Sequence, residues 1–412
     1  MSNSPLFPLR PALTALLLAA LAPATVAQSM DALEAKLFDH PSLNAMRYGS
    51  DASRERAQAA MGLPDPVVSV GINNFPIFDP SFDTFLPTNK AVGIRQQIPN
   101  RSGRAAKSNE ALQRAVENDA ATDMQFAQLQ AALQVALIEK RRIEAQQVLA
   151  EARDAKYAEL VGIVETEIDA GRPVVFRLAE IDVERAEVAR TLVELDGQMR
   201  QVDAQLIDLV GSVPVTEAPM LVAKDWAGDA QAFHLVRVAD KAIDVADAGV
   251  DRAQADYKPN WGAQLTYQQR DQGSGALGSN FAGDDWVSGM VTFTVPLWAE
   301  KRQAPALRAA KADREAARAR HLAAARTASA QYSTYNATRR AAEESIAVLE
   351  QKIDAIADQV AAQLTTYESG IGDYSPIIDG EIAVIALRAK IALEQSRRDS
   401  AIARMNALLV TS

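Results

Sequence analysis

Trp261-Gly-Ala-Gln-Leu-Thr-Tyr-Gln-Gln269 alternates strictly: Trp261, Ala263, Leu265 and Tyr267 take one side, and Gly262, Gln264, Thr266 and Gln268 take the other. A period of two is the mark of an extended strand with one apolar and one polar face. Val287, Gly289, Val291, Phe293 and Val295 repeat the pattern against Ser288, Met290, Thr292 and Thr294, and Val92, Ile94 and Ile98 repeat it against Gly93, Arg95 and Gln97. A weaker fourth strand runs from Val67 to Phe75, with Val68, Val70 and Ile72 on one side. Each is about the 9–11 residues of a tilted membrane strand. A small soluble sheet with one buried face would carry the same alternation.

Around these strands lie segments of the opposite character. Residues 104–161 and 306–369 contain neither Gly nor Pro, runs of 58 and 64 residues. Helices of that length exceed ordinary globular ones and point to coiled coil; straight and unbroken, they would extend roughly 85–95 Å. Shorter helical segments follow each run. One carries Leu178, Ile181, Val188, Leu192, Leu195, Met199, Val202, Leu206 and Leu209, and the other Ile378, Ile382, Ile385, Ala389 and Ala392. The second long run ends on Ile346, Leu349, Ile353, Ile356 and Val360 in the same three-four alternation. Such a narrow stripe packs one helix against another.

The order of elements is duplicated at a spacing of about 200 residues, a repeat visible in short matches. Arg56-Ala-Gln-Ala59 recurs as Arg252-Ala-Gln-Ala255, each ahead of a strand-opening proline, Pro64 or Pro259. Gln97-Ile98-Pro99 recurs as Thr294-Val295-Pro296, the proline ending the strand by withholding a ladder donor. The expected organisation is therefore a first structural repeat over 28–211, with a helix, a β-hairpin at about 67–98, a long helix at about 101–161 and a shorter helix at about 174–210. A linker over 212–232 precedes the second repeat, 233–412, with a helix, a β-hairpin at about 260–295, a long helix at about 303–369 and a shorter helix at about 377–410.

Composition narrows the function. The 412 residues carry a formal charge of −10, no cysteine and three histidines, which removes thiolate metal sites and cysteine nucleophiles and leaves little for a histidine-based site. The acidic balance argues against nucleic acid. Arg10, the apolar run of residues 11–22 and the small residues 23–27 read as a secretory signal peptide over 1–27. No later segment is long and apolar enough to span a bilayer as a helix, so any membrane insertion of the mature chain must use strands closed into a barrel. Four strands cannot close one, and an open edge cannot sit in lipid. Other copies of the chain must complete it; three copies give twelve strands, and other closed numbers remain open.

This duplicated order resembles the outer-membrane factors typified by TolC, the trimeric exit ducts of tripartite efflux pumps and type I secretion systems. The resemblance covers essentially the whole mature chain. Within the family, Leu63-Pro-Asp-Pro-Val-Val-Ser-Val-Gly-Ile-Asn-Asn-Phe-Pro76 together with Gln96-Gln-Ile-Pro99 is similar to the heavy-metal branch, the CzcC-like and CusC-like proteins. Two features depart from the pattern: no cysteine is available for N-terminal lipid modification, and the chain is compact. The resemblance implies a mainly α fold with a transmembrane β part, namely a long α-helical coiled-coil barrel continued by a 12-stranded β-barrel shared by three chains. It implies no enzyme activity and no cofactor. Its implied partners are a homotrimer, a periplasmic adaptor (membrane fusion) protein, an inner-membrane pump of the RND type and outer-membrane lipid, with the helices in the periplasm of a Gram-negative cell. Implied cargo is heavy-metal cations, with drugs and organic compounds or secreted polypeptide as alternatives. A periplasmic coiled-coil scaffold is the rival outside the family.

Site expectations follow. Gly171, Arg172, Gly370 and Gly372 interrupt the long helices at two tips, where the family contacts its adaptor; Glu165, Glu167 and Asp169 stand beside the first. Asp373, Asp379 and Glu381 follow the second tip, where the family has an acidic ring at the periplasmic gate. Rings of carboxylates favour cations and raise the barrier to anions. Trp261, Tyr267 and Trp286 are candidates for an aromatic girdle at the bilayer interface. The dispersed methionines and the separate His40, His234 and His321 are expected to be structural, with no metal site, and Gly273-Ser-Gly-Ala-Leu-Gly278 to be a mobile extracellular turn.

Overall fold

The computed structural model describes residues 29–85, 87–274, 280–281 and 283–410. The expected signal peptide lies outside them.

What the sequence presents as one opening helix is two, α1 (Met30–Phe38) and α2 (Pro41–Met61). The break falls at Asp39-His40-Pro41. The His40 ring caps α2 by accepting from the Ser42 N–H at 3.3 Å, and Pro41 takes a first-turn position where its missing N–H costs nothing. Strands β1 (Val67–Asn73) and β2 (Asn89–Ile98) follow. Pro99 ends β2, and Asn100 caps the long helix α3 (Arg101–Asp169), its side chain accepting from Gly103 N–H at 2.6 Å. At 69 residues α3 extends roughly 100 Å.

Helix α3 runs past the expected stop at Val161. Gly162 weakens a helix by only about 1 kcal/mol, and Leu160 and Val164 on either side of it are buried against the next helix, α4 (Phe176–Val210). In α4 the heptad stripe is as the spacing demands: Ile181, Val188, Leu195, Val202 and Leu209 are buried at intervals of seven. An extended segment then leads to a short 3-10 turn, Ala230–Ala232, and α5 (His234–Ala255).

The second copy repeats the plan with β3 (Trp261–Gln269), the two-residue pair β4 (Gly273–Ser274) and β5 (Asn280–Phe281), then β6 (Trp286–Phe293), α6 (Gln303–Glu368) and α7 (Ser375–Leu408). Of the expected turn at 273–278, the first two residues therefore pair as a strand and residues 275–278 lie outside the described chain. Both hairpins belong to one antiparallel sheet in the order β1-β2-β3-β6, because β2 pairs with β3 from Lys90↔Gln269 to Ile98↔Trp261.

Three cores hold the helices. Leu33, Leu43, Leu133, Leu137 and Leu206 pack α1 to α4 at one level. Tyr157, Val164, Ile181, Ile378 and Ile382 join α3, α4 and α7 near the far end. Phe233, Val236, Tyr332, Met405 and Leu409 close α5 onto α6 and α7. There Tyr332 donates to the Lys224 carbonyl at 2.9 Å and accepts from the Trp226 N–H at 3.0 Å, tying the linker to the helices. All four main strands stand at one end, and among the described residues no helix packs extensively against the sheet.

Candidate functional site

Two places stand out: the sheet at one end for its exposed apolar face, and the paired helix tips at the other for their concentrated charge.

Registered neighbours across an antiparallel sheet share a face. One face carries the rows Val70, Val92, Tyr267, Val287 and Val68, Ile94, Leu265, Gly289, followed by Ala263 with Val291 and by Ile98, Trp261, Phe293. The opposite face carries Ser69, Gly93, Thr266, Ser288 and Arg95, Gln264, Met290. The apolar face is bare: Val70 is 80% exposed, Val287 and Val291 68%, and Leu265 54%. An apolar area of this extent facing outward marks a membrane or protein contact. Both edges, β1 and β6, also lack a strand neighbour among the described residues.

Of the three girdle candidates, Trp261 and Tyr267 lie on the apolar face, at opposite ends of β3. Trp286 pairs with Gln268 and so lies on the polar face, its ring under the Arg270 guanidinium at 3.8 Å. The alternation of Trp286 with Val287 carried that information; reading the tryptophan by type alone missed it.

At the other end both tips are built alike. Gly171 (φ +84°) and Gly370 (φ +77°) adopt the left-handed conformation that ends a helix, and the next residue's N–H reaches back five residues, from Arg172 to the Glu167 carbonyl and from Ile371 to that of Thr366. Gly372 needs no such angle; a Cβ there would meet Thr366 Cγ2 at 3.3 Å. A groove of about 490 Å³ separates the tips, lined by Gly162, Ile163, Thr166, Arg172, Tyr367 and Asp373.

The three acidic candidates come together along the start of α7, and each is held by a base from the first repeat. Arg172 Nη1 lies 2.6 Å from Asp373 Oδ1, Arg177 Nη2 3.4 Å from Asp379 Oδ2, and Lys156 Nζ 2.7 Å from Glu381 Oε2. Arg177 also donates to Ser375 Oγ. The Glu381 carboxylate, followed by that of Glu159, holds the Lys156 ammonium above the ordinary lysine range, and Asp373 raises the Arg172 guanidinium in the same way. Lys156 and Arg177 had no signal in the sequence, because their partners lie about 200 residues away. A further position was also unread: a Cβ on Gly380 would stand 2.4 Å from Val360 Cγ2, so glycine lets α7 approach α6 between the two carboxylates.

The histidines are dispersed. His40 caps α2; His321 Nε2 lies 3.5 Å from Gln231; His234 is buried at the start of α5, and desolvation lowers its pKa. Among the described residues no group of three or more His, Asp or Glu could hold a metal ion, and no helix is long and apolar enough to cross a membrane.

The family model described as Outer membrane efflux protein matches residues 231–410. No curated protein matches the chain in sequence. Among solved structures, the chain is similar to the outer membrane protein VceC of Vibrio cholerae, with TM-score 0.72, 16% identity and coverage of 92% of this chain and 95% of that one. It is also similar to CusC, described for its transmembrane channel formation, with TM-score 0.76, 14% identity and coverage of 94% and 93%. The open state of the MtrE outer membrane channel of Neisseria gonorrhoeae gives TM-score 0.75, 17% identity and coverage of 92% and 88%. At these identities the likeness carries the fold.

Proposed function

We propose, from the match of residues 231–410 to the outer membrane efflux protein family, that this chain is the outer-membrane duct of a tripartite efflux system. The match to that family supports a place at the outer membrane and a role as a channel component rather than an enzyme.

The observation that carries the reading is the sheet. An apolar face bare of protein and two open edges make sense in lipid only if other copies of the chain complete the ladder. Three chains of four strands close a twelve-stranded barrel, with the polar face of Ser69, Thr266 and Ser288 lining a water-filled lumen. Helices α3, α4, α6 and α7 then continue the lumen as a periplasmic tube ending at the tips.

In this reading the channel does no covalent chemistry, and its control lies at the tips. Asp373, Asp379 and Glu381 contribute to an acidic aperture, and their tethers to Arg172, Arg177 and Lys156 hold the second hairpin against the first. Gly171, Arg172, Gly370 and Gly372, around the tip groove, form the docking surface for a periplasmic adaptor that links the duct to an inner-membrane pump of the RND type. Heavy-metal cations are the favoured cargo, on the strength of the Leu63–Pro76 segment and the carboxylates at the aperture. Organic compounds or polypeptide are the second reading.

Fractionation tests the core of this proposal: an outer-membrane trimer supports it, and release as a monomer with the periplasm refutes it in favour of a coiled-coil scaffold. In cells lacking the protein, retained copper, silver, zinc, cobalt or cadmium with normal dye export supports the metal cargo. Dye retention with normal metal content overturns that cargo and leaves a drug duct.

A further inference from the structure

The connection between β1 and β2 reads Phe75-Pro-Ile-Phe-Asp-Pro-Ser-Phe-Asp-Thr-Phe85, an aromatic density unmatched elsewhere in the chain. It leaves the sheet at the end away from the helices, and therefore at the cell exterior in the barrel reading, on which this inference rests. The loop is a built structure. Asn73 donates to Asn89 Oδ1 at 3.0 Å, Thr88 Oγ1 to the Asn74 carbonyl at 2.9 Å, and Asn74 Nδ2 to the Pro87 carbonyl at 3.2 Å. Within it Ser81 Oγ accepts from the N–H groups of Asp83 and Thr84, both at 3.2 Å. Yet the side chains that such a loop would ordinarily bury are outside: Phe78 is fully exposed, Ile77 is 85% exposed and Phe75 41%.

The loop has a side. Lys90 faces the same way as Val92 and Ile94, being in register with Ile72 and Gln269. Its ammonium pairs with Asp271 at 3.2 Å and stands 4.8 Å from the ring of Phe82, which in turn packs on Phe75 at 4.9 Å. The aromatic pair therefore leans over the apolar face of the sheet. Phe75 and Phe82 lie beyond Ile72 at the loop end of that face, with Asp79 the only charge between them in sequence.

We infer that this loop is a membrane-inserted lip: acyl chains of the outer leaflet cover Phe75, Ile77 and Phe78, extending the lipid-facing band of the barrel beyond the ends of its strands. Continuity with the apolar sheet face selects lipid as the occupant. Aromatic side chains and a lysine gathered at the rim suit the boundary between chains and headgroups.

The chain has no cysteine, so single replacements supply clean probes. The full-length protein carrying Phe78→Cys, Val70→Cys or Ser288→Cys is labelled with a nitroxide and reconstituted in vesicles of phosphatidylethanolamine and phosphatidylglycerol. Collision rates with oxygen, which partitions into lipid, and with a water-soluble nickel complex are then measured. The expected oxygen-to-nickel ratio at 78 lies with that of 70 and several-fold above that of 288. High nickel accessibility at 78, with 70 still in lipid, overturns the inference and leaves the barrel intact. Protection of 78 from both agents places it under a neighbouring copy and also overturns it. Nickel accessibility at 70 refutes the barrel reading itself.

Discussion

Leu265→Arg separates a lipid-facing sheet from a water-facing one. Leu265 sits in the middle of β3 on the apolar face, between Ile94 and Gly289, and is 54% exposed. If water covers that face, an arginine there is a surface substitution worth about 0.5 kcal/mol or less in either direction. If lipid covers it, the charge lies near the bilayer midplane and costs about 2–4 kcal/mol per chain, or roughly 6–12 kcal/mol for a trimer with three copies. Ser288→Arg places the same side chain on the polar face and is expected to be close to neutral. The assay is the fraction of heat-dissociable trimer in isolated outer membranes, followed by urea titration of each variant in vesicles. Loss of trimer with Leu265→Arg and retention with Ser288→Arg is the expected result. Equal stability of the two variants would refute the assignment of the faces.

Replacing Asp379 by Asn together with Glu381 by Gln should lower cation-over-anion selectivity in planar bilayers; unchanged selectivity and conductance would remove both from the aperture. Lys156→Gln deletes the partly exposed ion pairs with Glu381 and Glu159, of which only the first reaches α7; that one is worth about 0.5 kcal/mol, and its loss should speed amide exchange over Ser375–Ile382 about twofold, whereas an unchanged rate would mean that the pair tethers nothing. His234 has a pKa lowered by burial, so its neutral form is favoured in the folded state. Stability that it supports is complete above the unfolded value of about 6.5 and falls as pH drops from there toward the folded pKa. A melting temperature that declines between about pH 7 and 5, and declines less steeply in His234→Asn, is the expected outcome; parallel slopes would assign the acid sensitivity to other groups.

Periodicity made much of the architecture legible. Seven-residue spacing placed Ile181, Val188, Leu195, Val202 and Leu209 in a buried seam, and two-residue spacing sorted Trp261, Leu265 and Val291 onto one face. Such patterns survive in a linear text because each element records its own surroundings. Glycine was read less well: Gly162 looked like a helix end, whereas neighbouring core contacts carry α3 through it to Asp169. The tips were half legible. Asp373, Asp379 and Glu381 stood out as charges beside a turn, but Arg172, Arg177 and Lys156 became their partners only when the two repeats packed together. The approach of Gly380 to Val360 is likewise a contact between separate helices, with no trace in local spacing.

The pairing of β2 with β3 has a consequence for symmetry. That seam joins two hairpins of the same plan within one chain, so in the proposed trimer it is the covalently linked counterpart of the seam between β6 of one chain and β1 of the next. The closed ring is then six hairpin units with three chain identities, a pseudo-sixfold object whose true symmetry is threefold. Its far end presents six tips of two alternating kinds, one ending in Gly171-Arg172-Pro173 and the other in Gly370-Ile371-Gly372-Asp373. A docking partner with six equivalent arms would meet two different surfaces in turn, and one with three arms could settle on a single kind.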